Sequence, residues 1–325
     1  MATELPLGYT TRVATLGDAG AVRAVMEASA SADAEEPAFT REELLGFWQA
    51  PGLDLALDTR LVLAPDGSAV AYGGLSNTAH AELGGYITVH PRHRARGIGT
   101  LLVRGALERA REHAALADPA ARVTLGYGVP ITHGPAQRIA AREGFAAVRR
   151  FWRMRIALPP VGDNATPAPA AWPAGITPRI AVPEDERAVY GVIVEAFAGH
   201  WGAPVPSFVA WRQRAMEHED FDPSLWLLAL AGNELAGCAL CRMREGGGWV
   251  DELGVRPGHR GQGIGLALLR AAFAEFQRRG VRTVGLAVDA ENTTGATRLY
   301  ERAGMRAYQA WDAYHKTIRG ATDAR

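Results

Sequence analysis

The segment VRPGHRGQGIGLALLRAAF, residues 255–273, passes from a β-branched residue through closely spaced glycines into an apolar, helix-forming run. Gly261, Gly263 and Gly265 allow a tight turn and a close backbone approach to a ligand, and the N–H groups at a helix start attract anions. Arg260 adds a guanidinium with a fork of donors just before them. The segment therefore predicts a strand, a loop and a helix whose N-terminus binds phosphate.

Two generic phosphate-binding motifs do not account for this segment. A dinucleotide fingerprint requires G-x-G-x-x-G after the first strand, and a P-loop requires Lys and then Ser or Thr after its last glycine. Neither pattern is present here. The alternative that the glycines serve only a tight turn between strand and helix stays open at this point.

The same pattern occurs a second time in the chain. VHPRHRARGIGTLLVRGAL, residues 89–107, repeats it with an offset of 166 residues from Val89 to Val255 and from Gly99 to Gly265. Upstream, TRVATLGDAGAV resembles PRIAVPEDERAV at an offset of 167, and downstream AQRIAAREGF resembles ATRLYERAGM at an offset of 160. Three matching stretches in the same order indicate two copies of one domain.

Length and composition agree with two domains. At 325 residues, the chain exceeds the usual size of a single domain. The stretch ALPPVGDNATPAPAAWPAG, residues 157–175, is rich in Pro and Ala and lacks apolar periodicity, which is typical of a linker. We therefore expect an N-terminal domain at 1–158, a linker at 159–175, a C-terminal domain at 176–319 and a tail at 320–325.

The charge balance limits the partners. Lys plus Arg and Asp plus Glu both number 35, so no net field favours nucleic acid or an anionic membrane. The N-terminus MATELPLGYTTRVATLGD lacks a basic segment before an apolar run, and no stretch of about 18 uncharged apolar residues occurs. We expect a soluble cytoplasmic protein, monomer or homodimer, that binds neither nucleic acid nor membrane.

The second copy mixes helix and strand periodicity. EDERAVYGVIVEAFAG is amphipathic and opens with acidic residues suited to a helix N-terminus. LWLLALAGNELAGCALCRM and GWVDELGV predict three strands, the first two around a Gly-Asn turn. After the glycine segment, TVGLAV, GATRLYERAG and AWDAYHKTI predict strand, helix and strand. This order predicts an α/β domain with a mixed sheet.

The two cysteines, Cys238 and Cys241, form a C-x-x-C pattern within an apolar strand. No second Cys or Cys/His pair follows, so the pattern does not predict a metal site. Side chains three residues apart on a strand point to opposite faces. We expect buried structural thiols.

The glycine segments resemble the acetyl-coenzyme A motif of the GNAT N-acetyltransferases: Arg or Gln, two residues, Gly, one residue, then Gly or Ala. The second copy fits at Arg260, Gly263 and Gly265, and the first fits at Arg94, Gly97 and Gly99. The resemblance covers nearly all of the chain outside the linker. It implies two tandem GNAT-like domains, each a mixed, largely antiparallel sheet with splayed central parallel strands flanked by helices.

The resemblance also implies acetyl-CoA as the cofactor, with its pyrophosphate on the glycine loop and its thioester carbonyl near the preceding strand. In the second copy, it assigns cofactor contacts to Leu253, Gly254, Val255, Arg260, Gly261, Gln262, Gly263, Ile264, Gly265, Leu266 and Asn292. In the first copy, it assigns them to Val89, Arg94, Ala95, Arg96, Gly97, Ile98, Gly99 and Thr100.

Tyr300 is the candidate general acid. Members of the family commonly place a Tyr in the LY of the helix after the motif, and here that residue is Tyr300. An unperturbed phenol has a pKa near 10, so it is protonated at neutral pH and can donate. Asn292 matches a polar residue before this helix, but its spacing of 8 from Tyr300 is one longer than the commonest family form. The alternative for Tyr300 is a core aromatic residue.

Transfer to an amine also requires a base, because the attacking nitrogen must lose a proton. WVDELGV offers Asp251 and Glu252, which lie on opposite faces of a regular strand. We choose Glu252 and keep Asp251 in reserve, because a bulge near Gly254 would exchange the faces. Solvated carboxylates at a sheet edge are the alternative.

The first copy departs from the family pattern at the reactive positions. Ala140 aligns with Tyr300, Tyr86 with Glu252, and Thr132 with Asn292, although His133 is adjacent. We therefore expect the first domain to bind coenzyme A or serve as a scaffold, and the second to catalyse direct acetyl transfer to the primary amine of a small molecule such as an amino sugar or amino-acid derivative. The alternatives are a non-catalytic acyl-CoA sensor or partner-binding protein, and an acetyltransferase for protein N-termini or lysines.

Overall fold

The chain divides into two compact units in the computed structural model. The structure describes residues 4–37, 39–50, 52–160, 170–202, 206–217, 221–292 and 294–321. Unit 1 comprises Met1–Arg150 with Ala310–Arg325, and unit 2 comprises Phe151–Gln309. Residues 161–169 of the expected linker and 322–325 of the expected tail lie outside the described residues.

The described residues form strands and α-helices that are numbered in chain order. The strands are β1 Thr10–Arg12, β2 Thr59–Leu63, β3 Ala69–Thr78, β4 Glu82–Val89, β5 Val123–Pro130, β6 Ala146–Ala157, β7 Ile176–Ile180, β8 Trp226–Ala231, β9 Glu234–Arg244, β10 Gly247–Val255, β11 Thr283–Asp289 and β12 Arg306–Arg319. The helices are α1 Ala19–Ala32, α2 Arg41–Trp48, α3 Leu55–Asp58, α4 Ile98–Leu116, α5 Gly134–Arg142, α6 Glu186–Phe197, α7 Phe208–Met216, α8 Ile264–Arg278 and α9 Ala296–Arg302.

Unit 1 contains a mixed sheet in the order β1-β2-β3-β4-β5-β12. β4 and β5 run parallel from Glu82 opposite Thr124 to Gly85 opposite Tyr127, whereas β3 pairs antiparallel with β4. One face packs against α1 and α2 through a cluster that includes Met26. The other face packs against α4 and α5.

Unit 2 repeats this arrangement in the order β6-β11-β10-β9-β8-β7. β10 and β11 run parallel, and β9 pairs antiparallel with β10. Helix α8 buries an apolar stripe that includes Leu268, Ala272 and Phe276, with the spacing of a single helix face. α8 and α9 cover one face of the sheet, and α6 and α7 cover the other. The expected mixed fold with helices on both faces is confirmed.

The last strand of each sheet comes from a distant part of the chain. In unit 1, Trp311–Arg319 of β12 pairs antiparallel with β5. In unit 2, Phe151–Ala157 of β6 pairs antiparallel with β11. The compact units therefore differ from the expected boundaries at 158 and 176: residues 151–158 lie in unit 2, and 310–319 lie in unit 1. Both strands have comparable apolar alternation, so the local pattern did not identify their partners.

This exchange predicts that the sequence boundary cuts a folded unit. A fragment of residues 151–309 retains all of unit 2, whereas a fragment of residues 176–319 lacks β6 and exposes the edge of β11. The shorter fragment also loses Met154, which is 1% exposed and packs in the core beneath α8. We expect fragment 151–309 to melt cooperatively by circular dichroism and fragment 176–319 to aggregate or lose its transition. A cooperative melt at the same temperature for both fragments would contradict the exchange.

The two cysteines lie on opposite faces of β9, as the spacing predicted. Cys238 belongs to the cluster under α6 and α7, and Cys241 belongs to the cluster under α8. Both thiols are free, and burial raises the pKa of each. The expectation of buried structural thiols is confirmed. Within the residues that the structure describes, no helix combines the length and apolar character needed to cross a membrane.

Candidate active site

An opening between β10 and β11 is the first feature of the site. The parallel pairing of these strands ends at Trp249 opposite Gly285, although β10 continues to Val255 and β11 to Asp289. The backbone of residues 250–255 therefore borders a gap between diverging strands. An extended ligand arm can enter such a gap and pair with the strand edge.

The loop between β10 and α8 forms the second feature. Gly261 and Gly263 have left-handed φ angles of +76° and +89°. No side chain caps α8 at Gly263, and the amide of Ala267 donates the first helical bond to the Gly263 carbonyl at 3.1 Å. The preceding amides of the first turn are thus available to an anion.

The space around this loop fits a pyrophosphate. A Cβ built on Gly261 would meet nothing within 4 Å, and one on Gly263 would meet only Pro173 Cγ at 3.9 Å. Acetyl-CoA, which the family resemblance implies, therefore fits the residues present. Its pyrophosphate would lie on the loop amides, and its pantetheine arm would lie along residues 250–255.

Arg260 makes contacts other than those expected from the sequence. Its Nε donates to the carbonyl of Val255 at 3.2 Å, and its Nη2 donates to the carbonyl of Ala196 at 2.9 Å. These bonds tie the loop to its own strand and to the end of α6. The arrangement favours a role in positioning the loop, with phosphate contacts left to the backbone.

A β-bulge in β10 lies beside the opening. The register changes from Val250 opposite Cys241 to Glu252 opposite Leu240, so Asp251 is the extra residue. The sequence placed a possible bulge near Gly254; in the structure it lies three residues earlier. Because of the bulge, Asp251 and Glu252 do not alternate between faces as a regular strand would require.

Glu252 lies on the face covered by α6 and α7. Its two carboxylate oxygens accept hydrogen bonds from Trp211 Nε1 at 3.2 Å and from Arg214 Nη2 at 2.9 Å, and its side chain is 17% exposed. These two α7 residues were not identified from the sequence, because they lie about forty positions before their partner and no local pattern links them. They hold Glu252 in one orientation.

Asp251 lies on the same face, where its Oδ1 is 3.1 Å from Nε of Arg242. Burial raises the pKa of the Asp251 carboxyl to about 6, although the nearby Arg242 guanidinium opposes this shift. The side chain remains 34% exposed. Asp251 is therefore accessible and titrates close to neutrality, which suits a proton acceptor.

Tyr300 lies on the opposite face, in the core cluster beneath α8 and α9. Burial raises the pKa of its phenol to about 12, so the hydroxyl is protonated throughout the physiological range. Among the described residues, none hydrogen-bonds to this hydroxyl. The carboxylates and the phenol thus lie on opposite faces of the sheet of unit 2.

Asn292 forms a turn at the start of the loop before α9. Its Oδ1 accepts from the Thr294 amide at 2.7 Å, and its Nδ2 is 3.1 Å from Nε2 of His200. His200 follows α6, so this contact joins the ends of two elements beside the opening. The geometry favours a structural role for Asn292 over direct cofactor contact.

Unit 1 has a similar loop. Ala95 and Gly97 adopt φ angles of +60° and +83°, and α4 begins directly after Gly97. Arg94 donates to the carbonyl of Val89 at 3.3 Å and forms a two-point ion pair with Asp33 at 2.8 and 2.6 Å. As in unit 2, the arginine ties the loop to the end of the first long helix.

The positions of unit 1 that align with the candidate site residues of unit 2 hold other side chains. β4 pairs with β3 in regular register, without a bulge. Tyr86 packs edge-on against Phe39 with ring centroids 5.3 Å apart, and Ala140 is buried in the core. Thr132 donates to Glu35 at 2.9 Å.

Comparison with known proteins supports this division into two similar units. A model of the acetyltransferase (GNAT) family matches residues 25–123 and 191–305. A mycothiol acetyltransferase of Thermobispora bispora is 33% identical over 311 residues, covering 90% of this chain and 93% of that protein. One from Frankia casuarinae is 32% identical over 323 residues, covering 91% and 84%.

Solved structures show the same tandem fold. A GCN5-related N-acetyltransferase from Sphaerobacter thermophilus has a TM-score of 0.85 and 39% identity, covering 98% of this chain and 99% of that one. A tandem GNAT protein from the clavulanic acid biosynthesis pathway has a TM-score of 0.70 and 19% identity, covering 97% and 100%. The second likeness concerns the fold alone.

Proposed function

The chain belongs to the GNAT acetyltransferase family and is an acetyl-CoA-dependent acyltransferase, and from this premise we propose that unit 2 transfers the acetyl group directly to the primary amine of a small molecule. An amino sugar or an amino-acid derivative is the favoured acceptor. The names of the curated relatives put a small-molecule acceptor ahead of a protein N-terminus or lysine.

One observation carries the assignment to unit 2. Its central strand has a bulge that presents Asp251 and Glu252 on one face of the sheet, and Tyr300 lies on the other face. In unit 1 the equivalent strand is regular. Unit 1 therefore retains a similar glycine loop but has Tyr86 and Ala140 at the positions aligned with Glu252 and Tyr300, which favours a binding or scaffolding role.

Different residues of unit 2 bind the cofactor and transfer the protons. Acetyl-CoA supplies the acetyl group as an activated thioester. The loop amides and the first turn of α8 hold the pyrophosphate, and the edge of β10 orients the arm. Asp251 accepts the proton that the attacking amine must lose, and Tyr300 donates a proton to the departing sulfur.

The geometry favours Asp251 over Glu252 as the base, which reverses the order chosen from the sequence. Both oxygens of Glu252 accept hydrogen bonds from α7, which hold the carboxylate against that helix and occupy the atoms that a base would use. Asp251 has a pKa of about 6. We assign Glu252 the role of fixing the bulge against α7.

The assignment predicts a pH profile. As the pH falls through about 6, Asp251 becomes protonated and can no longer accept a proton, so kcat/KM should fall on the acid side. Asp251→Asn should remove this limb and lower kcat by about 10²-fold. Glu252→Gln should keep the limb. Steady-state CoA release between pH 5 and 9 measures both effects.

An exposed carboxylate provides the control for this profile. Glu184 lies at the surface of unit 2 before α6, so Glu184→Gln should leave both the limb and kcat unchanged. Loss of the limb in Glu252→Gln, with the limb intact in Asp251→Asn, would restore the original assignment to Glu252.

The proposed function itself is tested by CoA release across a panel of small primary amines. Turnover with any of them supports the enzyme, and product mass identifies the acetylated amine. Binding of acetyl-CoA without turnover, for every amine and for peptide substrates, would favour the sensor instead.

A further inference from the structure

A row of basic side chains crosses the sheet of unit 2 directly below the opening. In the register, Arg155 lies opposite Gly285, Gly285 opposite Trp249, and Trp249 opposite Arg242. Paired positions project from the same face of a sheet. With strands about 4.8 Å apart, the Cα atoms of the two arginines lie about 14 Å apart on this face.

Trp249 fills the centre of this row. A Cβ on Gly285 would come within 2.6 Å of the indole, so the glycine provides the space in which the ring lies. The Arg244 guanidinium stacks on the ring with its Cζ 4.8 Å from the centroid. The indole of Trp249 therefore lies between the arginines of the row, at the level where the parallel pairing of β10 and β11 ends.

A further basic side chain, Arg153, lies one step closer to the opening. Arg153 is opposite Ala287, which is exposed, and its Nη1 is 3.3 Å from Oε1 of Gln309. Asp251 and Glu252 border the other side of the gap at this height. The basic surface thus reaches the proposed reaction centre.

Arg155 is oriented for binding. Its Cζ lies over the Tyr308 ring, 4.4 Å from the centroid, in a cation–π contact. A cation–π contact leaves the N–H groups of a guanidinium able to donate hydrogen bonds to an anion. Arg155 is exposed, and among the described residues no hydrogen bond or ion pair engages these donors.

The charges on this face favour an anion. Around the opening, this face carries the guanidiniums of Arg153, Arg155, Arg242, Arg244 and Arg214 and the carboxylates of Asp251, Glu252 and Asp289. An excess of positive charge attracts anionic groups and lowers the pKa of a nearby ammonium. A lower pKa increases the neutral fraction of the amine, which is the form that reacts.

We infer that the amine acceptor carries an anionic group, a carboxylate or a phosphate, and that Arg155 binds it with Arg153 and Arg242 beside it. This inference rests on the proposed function of unit 2. The anion would lie on the basic row while the amine reaches Asp251. Planar fork geometry suits both carboxylate and phosphate oxygens.

The experiment compares matched amines that differ in the anionic group. Glucosamine 6-phosphate is compared with glucosamine, and β-alanine with 3-aminopropanol, so one pair tests phosphate and the other tests carboxylate. We expect the preferred anionic amine to have a KM lower by about 10- to 100-fold than its neutral counterpart. Equal kinetics within both pairs would overturn the inference and leave the proposed function intact.

Substitution of Arg155 identifies the residue responsible. Arg155→Gln should raise KM for the preferred anionic amine by about 10-fold or more and change kcat little. The kinetics of the neutral amine should not change. Arg155→Lys should recover part of the lost affinity for the anionic amine. Arg282→Gln, an exposed arginine before β11, is the matched control and should change nothing. An equal effect of Arg155→Gln on both members of a pair would contradict anion binding.

Calorimetry separates this inference from the proposed function. Glucosamine 6-phosphate and glucosamine are titrated into the full-length protein saturated with CoA. Tighter binding of glucosamine 6-phosphate than of glucosamine, lost in Arg155→Gln, supports the anion site. This holds even if no amine is acetylated, because absence of turnover counts against the proposed function and not against anion binding. Equal binding of the two sugars overturns phosphate binding at this site. β-Alanine and 3-aminopropanol are then compared in the same titration, and equal binding of these two overturns the inference.

Discussion

Tyr300→Phe should lower kcat by about 10²-fold while leaving the affinity for acetyl-CoA unchanged. The phenol lies in an apolar cluster with a pKa of about 12, so at neutral pH it carries the proton that a departing thiolate needs. Stopped-flow or steady-state CoA release under conditions where chemistry limits the rate measures kcat, and calorimetry measures cofactor affinity.

The same substitution also tests the alternative that Tyr300 only fills the core. Because no described residue hydrogen-bonds to the hydroxyl, its removal leaves no buried partner unsatisfied, and Tm should change little. Tyr190→Phe is the matched control, since it removes a phenol of α6 that donates to the Pro206 carbonyl. If Tyr300→Phe retained full kcat with an unchanged Tm, Tyr300 would be a core residue and another group would supply the proton.

Local features of the site followed from the sequence. Glycine spacing predicted two loops, and the structure gives Gly97 and Gly263 nearly the same left-handed backbone, with φ angles of +83° and +89°. Glycine is favoured in this conformation for steric reasons, so its position in a sequence is informative. The order of helices and strands in the second copy was also predictable from periodicity.

Features that depend on distant pairing did not follow from the sequence. The exchange of β6 and β12 involves partners that the apolar alternation of each strand does not distinguish. The bulge at Asp251 is defined by its register against β9, and one extra residue changes which side chains share a face. Both candidate carboxylates were visible in the sequence, but their relative orientation depends on this register.

The sequence predicted which charged residues precede the glycine loops but not which groups they contact. Arg260 and Arg94 both precede a loop that we predict to bind phosphate, yet both donate to carbonyls of their own strands, and Arg94 also pairs with Asp33. The second partner of each arginine lies more than 60 positions away, at the end of α1 for Arg94 and at the end of α6 for Arg260. A long side chain can reach several neighbours, so its partner is decided by tertiary structure.

Gly263→Glu should abolish acetyl transfer, whereas Gly97→Glu should leave most of it. Each substitution places a carboxylate where backbone amides would meet a phosphate. The two glycines have nearly equal φ angles, and each caps the helix that follows its loop. Both variants therefore pay a similar conformational cost of about 1–2 kcal/mol, so each serves as the control for strain in the other.

Activity and binding together decide how the two units divide the work. Full-length Gly97→Glu should retain acetyl transfer, and calorimetry should show at most the loss of a second equivalent of coenzyme A. Gly263→Ala adds left-handed strain without a negative charge, so its residual activity separates the two effects in unit 2. The central strand of unit 2 has a bulge at Asp251, whereas the equivalent strand of unit 1 is regular. Loss of transfer in a folded Gly97→Glu protein, with transfer intact in Gly263→Glu, would make unit 1 the enzyme and require a mechanism that uses neither Asp251 nor Tyr300.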